Sequence, residues 1–224
     1  MDTIVENIKN IKTLLPSEIK LIAVSKTVTA ENILKVYNSG HKIFGENKVQ
    51  ELVQKHSLLP KDIEWHFIGH LQTNKIKFIA PFIHMIHSVD SLKLLKVINN
   101  EAKKVNRVIK CLLQVHIAQE ETKFGFAFNE VEDLLKNLKI ENFPFIEISG
   151  LMGMATYTDD IDIVHSEFRS LKNCFELLKN KHFVNCKKFK EISMGMSGDY
   201  QIAIQEGSTI LRLGSIIFGE RNYL

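Results

Sequence analysis

The residues of this sequence best suited to do chemistry stand at the ends of short apolar runs. Lys26 closes the run LIAVSK, residues 21–26. An amine at the end of a buried strand is costly unless it is charged and paired or its pKa is lowered, and lysines so placed attack carbonyl groups to form Schiff bases. The plainer alternative is a lysine whose stem follows the strand while its head reaches water. A second run leads into IFGENKVQE, residues 43–51, where Gly45 permits a tight exit and Glu46 and Asn47 are expected to face the same rim. A third leads into WHFIGHLQTNK, residues 65–75, with Gly69, His70, Gln72 and Asn74 at its end. These polar residues could line a site or simply cap the helices that follow.

Two later segments are suited to an anion. In SMGMSGDYQIAIQEG, residues 193–207, Ser197, Gly198 and Asp199 stand directly before a helical pattern. Small residues there expose backbone N–H groups at the positively polarised start of a helix. In RLGSIIFG, residues 212–219, Gly214 and Ser215 offer a second set of donors. Arg212 lies inside the apolar segment ILRLG, and a buried guanidinium stays charged and needs an acceptor. A carboxylate would serve, and so would the ring nitrogen of a pyridine.

Groups this far apart in the chain need a scaffold that brings strand ends to one rim. Apolar runs recur at 20–25, 41–44, 64–68, 83–88, 108–116, 145–150, 190–194 and 209–213. Several are near-continuous, as in parallel strands buried on both faces. Between them, apolar residues recur at helical spacing, as in AENILKVYNSG with Gly40 at its C-terminal end and DSLKLLKVINNEAKK behind Asp90 or Ser91. This alternation predicts an α/β fold, a (β/α)8 TIM barrel, with a doubly wound open sheet as the alternative. An extra N-terminal helix over residues 2–15 is expected to close the barrel's bottom or side. Active sites of such barrels lie at the C-terminal ends of the strands, and phosphate often binds between the loops after strands seven and eight. A strand-one lysine, a two-loop phosphate cradle and a strand-eight arginine together describe a site for a phosphorylated aldehyde with a basic ring, which pyridoxal 5′-phosphate is.

Composition agrees with this reading and removes others. No linker or repeat divides residues 1–224, so one domain is expected. The formal net charge is only +3 with lysines scattered, which leaves no basic block for nucleic acid. The three cysteines have no C-x-x-C spacing, which fits a reducing, cytoplasmic setting rather than a disulfide framework or structural zinc. The start of the chain lacks a signal-peptide pattern, and the longest apolar stretch, 78–89, is too short for a membrane span of about 20 residues. His66, His70, His84, His87 and His116 fall near strand ends, but their spacing gives no third ligand beyond strand-borne His66 and His70, so no metal is expected. Met152, Met154, Met194 and Met196 read as wall residues of the barrel mouth, and Cys111 as inert packing.

The stretches AVSKT (23–27), FGENKVQE (44–51), WHFIGHLQTNK (65–75), HSVDS (87–91), KFGF (123–126), SGLMGMAT (149–156), SMGMSGD (193–199) and RLGSIIFGER (212–221) resemble, in register, the YggS/PROSC family of pyridoxal phosphate homeostasis proteins. The resemblance implies a fold-type III barrel, like the N-terminal domain of alanine racemases without their second, β-rich domain. It implies pyridoxal 5′-phosphate as a Schiff base on Lys26, its phosphate on Ser197, Gly198, Gly214 and Ser215, its ring nitrogen at Arg212, and Asn47 near the ring or its 3′ oxygen. His70 departs from the proline of many members, and Gly198 occupies a variable position. An arginine at the ring nitrogen makes the cofactor a weaker electron sink. None of Tyr157, Tyr200 and Tyr223 is marked as the second base a racemase needs. The expected role is therefore a carrier or buffer of the cofactor that could pass it to apo-enzymes and acts as a monomer or weak dimer, with Lys75 of LQTNK as a second lysine contact or transfer site. The alternatives are an amino-acid racemase or related enzyme of the same cofactor, and a Schiff-base aldolase or phosphosugar barrel enzyme without the cofactor.

Overall fold

The computed structural model describes residues 3–119 and 124–220. Lys123, Arg221 and Tyr223, named above, lie outside the described residues, as does Asp2 of the expected first helix. Eight strands alternate with helices: β1 (Lys20–Val24), β2 (Ile43–Glu46), β3 (Glu64–Phe67), β4 (Met85–Val89), β5 (Ile109–Gln114), β6 (Ile146–Met152), β7 (Glu191–Ser193) and β8 (Ile210–Leu213). All pairs are parallel and run in chain order. The sheet closes where Lys20, Leu21, Ile22 and Ala23 of β1 lie beside Ile210, Leu211, Arg212 and Leu213 of β8. Closure decides for the barrel over the open sheet.

The helices are α1 (Thr3–Leu14), α2 (Ala30–Asn38), α3 (Val49–Leu58), α4 (Ile76–Ile79), α5 (Leu92–Lys104), α6 (Phe128–Asn137), α7 (Ile161–His182), α8 (Tyr200–Gln205) and α9 (Ser215–Phe218). Local chemistry sets several ends. Ser91 accepts a hydrogen bond from the Leu94 amide and starts α5, and Asp160 accepts from the Asp162 and Ile163 amides and starts α7. Gly40, at φ 89°, ends α2 in a conformation glycine adopts without strain.

Alternation along each strand divides the apolar residues between two cores. Outward residues such as Leu21, Ala23, Phe44, Trp65 and Phe67 pack beneath the helices. Inward Ile22, Met85, Leu112, Met152 and Ile210 form a separate plug inside the barrel. The plug makes the interior a packed core and leaves its C-terminal end for a site. The first helix lies on the barrel's flank, with α9 and α2 as its main partners; Asn7 Nδ2 donates to the Ile217 carbonyl at 3.1 Å.

Candidate cofactor site

At the C-terminal ends of the strands opens a cavity of about 670 Å³ whose lining includes Lys26, Asn47, Ser197, Gly198, Arg212, Gly214 and Ser215. Seven residues from four separate segments thus meet at one rim. The loops after β7 and β8 are joined directly, for the Gly214 amide donates to Ser197 Oγ at 3.3 Å. Asp199 shapes the first of these loops by accepting from the Met196 amide at 2.5 Å. Gly195, which the sequence reading passed over, has φ 95° and lies so close to α8 that a Cβ would meet the Ala203 methyl at 2.6 Å. The glycine that this loop requires is Gly195, whereas a Cβ on Gly198 would meet nothing within 4 Å.

The turn that carries Lys26 is clamped from behind. Lys26 is half-buried and follows β1 by two residues. The buried Lys55 ammonium of α3 donates to the Ser25 carbonyl at 2.6 Å, to Glu46 at 2.7 Å and to Glu51 at 2.6 Å. Ser25 Oγ donates to Glu46 at 2.6 Å, and Glu51 accepts from the Thr27 amide at 2.6 Å. Both neighbours of Lys26 are therefore fixed, with Thr27 held at φ 65°. This corrects the expectation that Glu46 faces the mouth. On β2, Gly45 points inward, where a Cβ would sit 2.7 Å from Ile22 Cγ2, so its neighbours Phe44 and Glu46 point outward to the helices. Burial pushes the Glu46 carboxyl above its ordinary pKa, and the charge and hydrogen bond of Lys55 oppose the shift. The sequence did carry a signal for this clamp: Glu51 and Lys55 stand at i,i+4 spacing behind a strand that ends in Glu46.

Arg212 is 4% exposed. Its Nη1 donates to the Ser193 carbonyl at 2.8 Å and to Ser193 Oγ at 2.7 Å, and its Nη2 to the Gly153 carbonyl at 3.0 Å. Burial lowers its pKa to about 10, opposed by the charge of Asp199, so it remains a cation at neutral pH. The acceptors are thus two carbonyls and a hydroxyl instead of a buried carboxylate, and Arg212 still lines the cavity. Ser193 was not singled out from the sequence.

Of the other expected residues, His70 lies at the mouth, stacked on Phe124 with centroids 4.1 Å apart. Tyr157 lines the cavity and is 99% exposed. Gln72 and Asn74 are exposed and lie off the cavity lining, as does half-buried Lys75; Gln72 and Asn74 belong to the turn into α4. Met154 and Met196 line the cavity, whereas Met152 and Met194 are buried in the two cores. Glu64, His66 and His84 bring one polar atom each within 4.8 Å of one another at the opposite end of the barrel. Lys110 Nζ already lies 3.3 Å from His84 Nε2 there.

The residues present fit a flat, phosphorylated aldehyde with a basic ring. The donor set offers an amine, a guanidinium and two linked small-residue loops. The wall is cut back to backbone on the Asn47 side, where a Cβ on Gly69 would come within 2.4 Å of the Asn47 carbonyl.

Comparison with known proteins agrees with this geometry. Residues 1–222 match the family model described as the alanine racemase N-terminal domain. A pyridoxal phosphate homeostasis protein of Aquifex aeolicus is 40% identical over 205 residues, covering 91% of this chain and 88% of the relative. PipY of Synechococcus elongatus PCC7942, solved with pyridoxal phosphate bound, superposes with a TM-score of 0.87 at 31% identity over 96% of this chain and all of PipY. Alanine racemase of Clostridium difficile 630 shares the fold, with a TM-score of 0.80 at 17% identity over 99% of this chain and 57% of the enzyme. The chain is a member of the alanine racemase N-terminal-domain family, on the branch of the pyridoxal phosphate homeostasis proteins.

Proposed function

We propose that this chain binds pyridoxal 5′-phosphate reversibly, as a Schiff base on Lys26, and serves the cell's supply of that cofactor. The observation that carries the reading is the meeting of Lys26, Arg212 and the two tied loops around one cavity. When bound, the cofactor supplies a reactive aldehyde and an electron-withdrawing ring. The chain's own groups act on it in named ways. The Lys26 amine, presented by a turn fixed at Ser25 and Thr27, is the nucleophile toward the aldehyde. Backbone N–H groups at Gly198 and Ser215, with the hydroxyls of Ser197 and Ser215, would take the phosphate, and the Gly214 amide, which donates to Ser197 Oγ, would hold that hydroxyl in place. Arg212 would donate to the ring nitrogen and keep its own proton, because its pKa stays near 10. Asn47 would bound the ring on the side that Gly69 leaves open.

With Arg212 as its donor the ring would be a weaker electron sink, which would favour holding and releasing the cofactor over cleaving bonds at a substrate carbon. The protein works in the cytoplasm as one domain over residues 1–224, monomeric or weakly dimeric, and hands the cofactor to apo-enzymes. Among the described residues no helix is long and apolar enough to cross a membrane.

The test is an absorbance spectrum of the purified protein before and after borohydride, with Lys26→Ala alongside. A Schiff-base band that reduction fixes in the natural protein and that the variant lacks is the expected result. A protein that takes up no added pyridoxal phosphate would overturn the reading. Uptake of solvent deuterium at the α-carbon of an amino acid would move the assignment to a racemase.

A further inference from the structure

Behind the cavity, the barrel interior holds a line of hydrogen bonds between buried groups. Ser193 Oγ receives Arg212 Nη1 at 2.7 Å and lies 2.9 Å from His87 Nδ1. His87 Nε2 in turn lies 2.8 Å from His66 Nδ1. Ser193, His87 and His66 are each fully buried. Among the described residues His66 Nε2 has no hydrogen-bond partner.

The proton order along this line follows from what each group can do. A guanidinium only donates, so Ser193 Oγ accepts from Arg212. The Ser193 hydroxyl hydrogen then needs an acceptor, and among the described residues His87 Nδ1 is the remaining group within reach. His87 therefore keeps its hydrogen on Nε2 and donates to His66 Nδ1, and His66 keeps its own on Nε2. In the reverse order His87 Nδ1–H would donate to Ser193 Oγ, and the buried hydroxyl hydrogen would lose its acceptor.

Burial first, and then the surrounding charges, hold both rings neutral. His66 faces His87, His84, Lys20 and Lys110, and His87 faces Arg212, Lys20 and His84. The nearby carboxylates are partly committed: Glu191 pairs with Lys20 at 2.9 Å, and Glu64 lies 3.4 Å from His84. Burial, and then the cationic side chains of Lys20, Lys110 and Arg212, push both imidazoles well below their ordinary pKa.

We infer that Ser193, His87 and His66 are positioning residues for Arg212, forming a one-way hydrogen-bonded chain from the cavity floor toward the base of the barrel that fixes the guanidinium and keeps it a donor. What Arg212 is positioned for rests on the cofactor reading above. The proton order does not, because it is a property of this chain alone.

The first experiment is nitrogen-15 NMR of histidine-labelled protein, without cofactor, from about pH 5.5 to about 8.5. Expected are neutral His66 and His87 with the proton on Nε2 throughout. In Ser193→Ala, His87 should lose this single tautomer, and Ser193→Thr, which keeps the oxygen, should retain it. A His87 proton on Nδ1, titration of either ring in this range, or an unchanged His87 signal in Ser193→Ala would overturn the inference. The wild-type spectra decide the proton order even if Ser193→Ala fails to fold.

The second experiment is titration with pyridoxal 5′-phosphate followed by absorbance. Ser193→Ala should bind about tenfold more weakly, the effect of a lost hydrogen bond to a charged group. Ser193→Ala combined with His87→Leu should bind no more weakly than Ser193→Ala alone, since both break the same chain. Additive losses would contradict a single chain. Wild-type protein that binds no cofactor would sink the functional reading and leave the NMR result standing.

Discussion

At the scale of single residues, the site separates side chains that reach the cavity from those that hold the reaching groups. Lys26 is half-buried at the cavity rim. Lys26→Ala should abolish Schiff-base formation, read as loss of the absorbance band that borohydride fixes in the natural protein. Lys55 is the opposite case. Its ammonium is buried and shared among Ser25, Glu46 and Glu51, so Lys55→Met strands the Glu46 carboxylate. The expected loss is roughly 3–5 kcal/mol by urea unfolding, most of it recovered in Glu46→Leu/Lys55→Met. Recovery that fails to appear would mean that packing around Lys55, and not the pair, supports the turn.

At the scale of elements, the close approach of the β3 exit to the β2 exit can be tested by a single methyl group. Gly69→Ala would drive a Cβ to 2.4 Å from the Asn47 carbonyl. The loop must then shift, and cofactor binding should fall by an order of magnitude or more in an absorbance titration while far-ultraviolet circular dichroism stays that of an intact barrel. This scale also shows what the sequence made legible. All eight strands overlap the expected segments, with β2, β4 and β6 running one or two residues beyond them, because several are near-continuous apolar runs and all are flanked by helical spacing. Lys26, Ser197, Gly214 and Ser215 were findable because they follow such runs where a barrel places its site. Glu46 was misplaced because its side depends on which residue of a four-residue strand faces in, and Gly45 settles that only through its contact with Ile22. Ser193, His87 and His66 were hidden for a related reason. Hydrogen bonds across a barrel join β3, β4, β7 and β8, and no spacing along the chain records which inward residues meet.

At the scale of the whole molecule, the buried imidazoles make stability depend on pH. His41, 5% exposed, is pushed down from 6.5 to about 4, chiefly by burial and then by the charge of Lys12. The unfolded chain takes up this proton below about pH 6.5 and the folded chain only near pH 4, so the fold keeps its full stability above that window and loses it as pH falls through it. The loss from His41 alone is at most roughly 3 kcal/mol, and His66 and His87 act in the same direction. The melting temperature should therefore drop steadily from pH 7 to pH 4, less steeply in His41→Gln; equal slopes would assign the acid sensitivity to other groups. The tie between Asn7 of α1 and Ile217 of α9 acts across a longer distance. Because α9 begins at Ser215, on the cavity wall, whatever steadies that wall also steadies the anchor of the first helix. Limited proteolysis at the N-terminal helix should then slow when the mouth is filled, so that the outer flank of the barrel reports the occupancy of its opening.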